Sequence, residues 1–199
     1  MSKTSLYTKY GDGGYTFTKG SPRTPKNNIV IKVVGELDEL NSHIGFCISL
    51  CKTHLNYHPE FLTTTCDFLA KVQSALFQIG AFYGYKTNLP DEQLCIFVDK
   101  LEKQTDEQEK ENSELHNFVL PCGSPPAAYA HICRSVTRRV ERVVCDYNFS
   151  LKTDEEKMKL IQVFLNRLSD YFFSLSRTLN RVQGVKELLW SAESLEYNF

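Results

Sequence analysis

The sequence predicts an all-α protein, a five-helix bundle preceded by an extended N-terminal segment. Three observations carry this. Segments from Gly35 onward repeat apolar residues at steps of three and four, the period of one helix face. Outside residues 29–34, where Ile29, Val30, Ile31, Val33 and Val34 form a strand-like run, no strand signal stands out. Residues 7–30 are rich in glycine, lysine, threonine and proline and keep no period. So long an irregular stretch is a functional or disordered segment.

The first helix is drawn by Leu37, Leu40, Ile44, Cys47 and Cys51, and the second by Leu62, Cys66, Leu69, Val72, Leu76, Ile79 and Tyr83. A third starts near Asp91 with Leu94, Phe97, Val98 and Leu101, then loses its apolar face in an acidic run to Glu114 that reads as a solvated helix end or loop. The apolar piece Phe118-Val119-Leu120 ends in Pro121-Cys122-Gly123, and a fourth helix follows Pro125 and Pro126, since proline is tolerated in a first helical turn. The last helix carries Ile161, Leu165, Leu168, Phe172, Leu175, Leu179 and Val182 in alternating steps of four and three, a coiled-coil-like seam. The whole reads as one domain: an arm over residues 1–34, a bundle over 35–185 and a tail over 186–199.

Composition excludes several classes. Of 199 residues, 42 % are apolar and 24 % charged, too hydrophobic and too nearly neutral for intrinsic disorder. The 23 basic and 24 acidic side chains argue against a nucleic-acid binder. No run is long and apolar enough to span a membrane. The seven cysteines contain no Cys-x-x-Cys pair, and five of them fall on apolar helical stripes, so they read as reduced core thiols. Cys47 and Cys51 would hold a metal only if further ligands converged on them, and no metal site is expected.

The fourth helix holds the most informative side chains. On a helical wheel Ile132, Val136, Val140 and Val143 crowd one arc, while Arg134, Arg138 and Glu141 lie opposite, with His131 and Arg142 at the edge. Two arginines one turn apart form a fork for phosphate or carboxylate. The same spacing also describes a solvated face with an internal Arg138–Glu141 pair. Asp38 and Asn41 sit off the apolar seam at the start of the first helix, where an acid suits the dipole. Asn166, Asp170 and Arg177 run along one flank of the last helix, as a subunit-facing or solvent-facing edge does. Thr8-Lys9-Tyr10-Gly11-Asp12-Gly13-Gly14-Tyr15-Thr16 has the backbone donors, lysine and hydroxyls of a phosphate cradle. It is not a P-loop, because no Gly-Lys-Ser/Thr ending follows.

Together these segments resemble the trimeric, five-helix-bundle cob(I)alamin adenosyltransferases. Four blocks carry the likeness: Tyr7–Gly14 with Arg23 and Lys26; Gly35-Glu36-Leu37-Asp38-Glu39-Leu40-Asn41-Ser42; Phe118–Pro121 through Arg134–Arg142; and Phe164–Tyr171. The resemblance implies a fold of that type whose N-terminal segment binds nucleotide. It implies transfer of the 5′-deoxyadenosyl group of ATP to cob(I)alamin, giving adenosylcobalamin and triphosphate. By the same resemblance Phe118 fills the space below the corrin and excludes the lower axial ligand, and Asp38 and Arg134 form an ion pair beside the corrin. Lys9, Lys26, Arg138 and the backbone around Gly11 clamp the triphosphate. Thr8, Tyr10, Asp12, Thr16, Arg139, Glu141, Arg142 and Asn166 match nucleotide-binding positions. Cobalt itself attacks, so no nucleophilic side chain is needed, and Mg2+ arrives with ATP.

The likeness further implies a homotrimer with ATP between subunits, a reductase and an adenosylcobalamin-using acceptor enzyme as partners, and no membrane or nucleic acid. It points to the cytoplasm, or to the mitochondrial matrix if a transit segment has been removed. Three positions depart from the pattern: Gly13 stands where lysine is usual, Tyr10 is bulkier than the common small residue, and Cys122 replaces glycine or serine. A loop short of one positive charge also suits a non-catalytic cobalamin carrier of the same fold.

Overall fold

The computed structural model describes residues 7–151 and 156–191. Residues 1–6 of the expected arm and 192–199 of the expected tail lie outside them. Two short strands, β1 (Tyr15–Thr18) and β2 (Ser21–Pro25), precede five helices: α1 (Ile29–His54), α2 (Pro59–Tyr85), α3 (Asp91–Glu111), α4 (Pro125–Leu151) and α5 (Glu156–Val182). The strands form an antiparallel hairpin with Thr16 opposite Thr24, turned at Gly20 in the left-handed region (φ 90°). The hairpin is tied to α2 by the Lys19 amide, which donates to the Gly84 carbonyl at 3.2 Å.

Helix α1 begins at residue 29, so the run 29–34 is helical and not a strand. Asn28 explains the start: its side chain accepts from the Val30 amide at 2.9 Å, satisfying one of the orphan donors of the first turn. Val33 then falls in register with Leu37, Leu40 and Ile44, all buried. The β-branched composition suggested a strand, but capping and burial on one helical face decide the conformation.

The core lies where α1 packs on α2 and α4, and α5 packs on α3 and α4. Ile161, Leu165, Leu168, Phe172, Leu175 and Leu179 of α5 are fully buried, as their spacing predicts. On α4, Val136, Val140 and Val143 of the expected arc are buried, while Ile132 is 43 % exposed; the core face also takes in Ala127, Ala130, Cys133, Thr137 and Val144. The fully buried Thr137 is accommodated on this face because its hydroxyl donates to the Cys133 carbonyl at 2.7 Å. Arg177 corrects another expectation: it is buried inside the chain and does not lie on an outward edge.

All seven cysteines are free, with Cys47, Cys51, Cys66 and Cys133 in the core. A hydrogen bond with Cys133 and then burial hold the Cys47 thiol well above its ordinary range, so it stays protonated. Among the described residues no helix is long and apolar enough to cross a membrane.

Candidate functional site

The arm loop is a series of tight turns. The Asp12 amide donates to the Lys9 carbonyl at 3.2 Å, the Gly14 amide to that of Gly11 at 3.2 Å, and the Lys26 amide to that of Gly14 at 2.9 Å. Lys9 adopts a left-handed conformation (φ 59°), unusual for a side chain with a Cβ. A Cβ at Gly11 would stand 3.0 Å from Lys26 Nζ, so the glycine admits the ammonium against the loop backbone. Arg23 stacks on Tyr15 with its guanidinium carbon 4.3 Å from the ring centre. At Gly13 open space surrounds the missing Cβ, so a side chain would fit there without strain. Thr8, Lys9, Tyr10 and Asp12 are exposed, and Thr16 is half-buried beside Thr24.

On α4, Arg134 and Arg138 line one cleft of about 300 Å³, completed by Thr105 and Glu109 of α3 and by Ser169, Asp170 and Phe173 of α5. Arg138 is exposed and makes no ion pair with the described residues. The Arg138–Glu141 pair that the spacing allowed is not formed. Glu141 accepts from Asn166 Nδ2 at 3.1 Å, and Asn166 Oδ1 accepts from Arg167 at 2.7 Å. Arg139 turns to α1, where its Nε lies 2.6 Å from Glu36 and its Nη2 2.6 Å from Glu39. These bonds lower the Glu39 carboxyl below its ordinary range. Arg142 is exposed.

Arg134 also lines a second cavity, of about 580 Å³, with Phe118, His131, Phe173 and Trp190. Phe118 is 80 % exposed and meets Trp190 edge-on at 6.5 Å between ring centres. Both His131 ring nitrogens and Arg134 Nε are buried without a hydrogen-bond partner among the described residues. Burial, with the neighbouring Arg134 charge, lowers His131 to about 4, so its ring is neutral at ordinary pH. Burial and then Arg138 lower Arg134 as well, which remains a cation.

Asp38 lies elsewhere. It is exposed in an apolar groove of about 410 Å³ between α1 and α2, lined by Val34, Asn41, Phe77 and Tyr85. A single chain therefore brings together Phe118, Arg134 and Arg138, and in another group Gly11 with Lys26. It leaves Asp38 and the arm apart from both arginine-lined cavities. Sequence reasoning missed Trp190 and Phe173. The only tryptophan of the chain was the one available signal for the first.

The five-helix bundle thus presents a cleft lined by Arg134, Arg138, Glu109 and Asp170 that shares Arg134 with a cavity lined by Phe118, Phe173 and Trp190. The chain belongs to the cobalamin adenosyltransferase family, whose sequence model matches residues 6–179. It is 36 % identical to the corrinoid adenosyltransferase of Bacillus subtilis (strain 168), over 96 % of this chain and 95 % of that protein. It is 33 % identical to the human corrinoid adenosyltransferase MMAB, over 95 % of this chain and 76 % of that one. Similar solved structures include a variant PduO-type ATP:corrinoid adenosyltransferase from Lactobacillus reuteri complexed with cobalamin and ATP. Its TM-score is 0.80 at 28 % identity, covering 94 % of this chain and 97 % of that one.

Proposed function

We propose that this protein transfers the 5′-deoxyadenosyl group of ATP to cob(I)alamin, releasing adenosylcobalamin and triphosphate. The observation that carries the reading is the position of Arg134, shared between the Arg138 cleft and the Phe118 cavity. In this reading the polyphosphate lies against a large, largely apolar ring system. In the reaction the cobalt electron pair forms the Co–C5′ bond while the C5′–O bond breaks, and triphosphate leaves with the bonding electrons. The charge that grows on the leaving oxygen is the quantity the protein must stabilise. Prepositioned cations in a partly dry cleft do so without reorganising at the moment of reaction.

Arg138, which makes no ion pair with the described residues, is the main triphosphate ligand in this reading. Lys9, Lys26 and the backbone around Gly11 supply the rest of the clamp, with Thr8, Tyr10, Asp12, Thr16, Arg142 and Asn166 around the nucleotide. Arg139 and Glu141 belong to the same surface while also holding α4 to α1 and α5. Mg2+ enters with ATP. Phe118 acts by shape: an exposed apolar ring under the corrin leaves no room for the lower axial base, which makes reduction to Co(I) feasible. Because the arm and Asp38 stand apart from the arginine cavities of their own chain, a neighbouring subunit supplies them, in a homotrimer where Asp38 pairs with Arg134 across the interface. Free thiols suit a reducing compartment, the cytoplasm or a mitochondrial matrix.

The test is an assay of the purified protein with ATP and chemically reduced cobalamin. Formation of adenosylcobalamin and triphosphate in equal amounts supports the reading. Tight corrinoid binding with no Co–C bond formed would instead identify a carrier, the reading that the open, uncharged Gly13 position favours.

A further inference from the structure

Arg177 heads the fully buried side chains of the bundle, at 2 % exposure. A cation in a protein core is tolerated only when its donors are met. Here Nη1 donates to Glu109 at 2.9 Å, Nη2 to the Ser113 carbonyl at 2.6 Å, and Nε to Glu187 at 3.1 Å. One guanidinium on α5 thus joins the end of α3, the start of the α3–α4 connection and the tail. The last of these contacts is not explained by packing of the bundle.

Beyond Glu187 the tail runs antiparallel to the Phe118 segment. The Leu120 amide donates to the Leu188 carbonyl at 2.8 Å, the Trp190 amide donates to the Phe118 carbonyl at 2.7 Å, and Val119 faces Leu189. Two such bonds do not hold an isolated strand pair together in water. Phe118 is also too exposed for its own burial to fix it. Its position is set by the backbone beneath it and by whatever anchors the tail. Asn180, one turn further along α5, secures the other end of the connection: it accepts from the Ser124 amide at 2.9 Å and donates to the Cys122 carbonyl at 3.2 Å. Gly123 (φ 120°) is packed so closely on Asn180 that no Cβ fits.

We infer that Arg177 and Glu187 form a latch that docks the tail beside Phe118 and so positions that ring under the corrinoid. Arg177 is a positioning residue, acting through Glu187 and the tail backbone. The inference rests on the proposed function for its corrinoid, but the latch itself is a property of the protein alone.

The two parts separate experimentally. In Glu187→Ala, a change near the surface that spares the bundle core, the Leu120 amide should exchange with solvent faster and the emission of Trp190, the sole tryptophan, should shift to the red. Turnover with cobalamin should fall by between about tenfold and a hundredfold, the scale of a displacement of about 1 Å. KM for ATP should stay within about twofold, since the ATP groups are untouched. The absorption signature of bound cob(II)alamin freed of its lower ligand should weaken, and Glu187→Gln, which keeps one acceptor, should recover part of it. Unchanged Leu120 exchange overturns the latch. Faster exchange with an undiminished four-coordinate signature overturns its positioning of Phe118. Failure of the unaltered protein to adenosylate any corrinoid rejects the proposed function, while the exchange measurement still decides the latch.

Discussion

Arg139 donates its Nε–H to Glu36 at 2.6 Å and so ties α4 to α1. Arg138, one position earlier, points into the cleft and makes no ion pair with the described residues. The 100° step between consecutive helical residues thus gives neighbouring arginines different work. One holds the bundle, and the other is free for a ligand.

Arg138→Ala should abolish adenosyl transfer while leaving the bundle intact. Removing one prepositioned donor from developing charge costs about a hundred- to a thousandfold in rate. The check is turnover together with helical circular dichroism and the thermal midpoint. A folded mutant with normal turnover would remove Arg138 from the triphosphate clamp.

Arg139→Ala should act first on stability. Its two ion pairs are only partly buried, so their loss should cost about 1 kcal/mol. A lower urea midpoint with an unchanged denaturant slope is the expected result, and Glu36→Gln should reproduce part of it. An Arg139 mutant of full stability would show that these contacts contribute nothing to the fold.

Phe118→Ala should leave stability close to that of the parent, because the ring is exposed. Its effect should fall on cobalamin and largely spare a corrinoid that lacks the lower base, since only the former needs its base kept off. Equal losses on both corrinoids would contradict the wedge role.

His131 makes a pH prediction. Burial lowers its pKa from 6.5 to about 4 in the folded chain. The unfolded chain therefore takes up a proton as pH falls through 6.5, while the folded chain does not until about 4. Stability from this group is complete above 6.5, declines across that window, and levels off below about 4. The loss is on the order of 3 kcal/mol. His131→Leu should flatten this part of the profile, as followed by urea midpoints between pH 7 and pH 4; an unchanged profile would exclude His131 as its source.

The sequence announced some elements and concealed others, for physical reasons. The α5 seam is plain because large apolar side chains repeat without interruption, and all but the last, half-buried Val182 go to the core. The start of α1 is hidden, because its valines and isoleucines have strand preferences and the deciding information is a single cap at Asn28. The inner face of α4 is only half announced by its valines, because alanine, cysteine and threonine carry little hydrophobic signal yet are buried beside them. Arg177 looks like an outward charge until Glu109, Ser113 and Glu187 are brought to it from distant parts of the chain. Within the site, the arginine fork of α4 could be read from spacing, and Phe118 only from the family resemblance. The tail's part could not be read, because the pairing of Leu120 with Leu188 has no local pattern.

The most direct measurement is a crystal structure of the protein with ATP. The expected result is a triphosphate within hydrogen-bond reach of Arg138 on one subunit, enclosed by Lys26 and the Gly11 loop of the next. A triphosphate bound elsewhere, with Arg138 left in open solvent, would contradict the account.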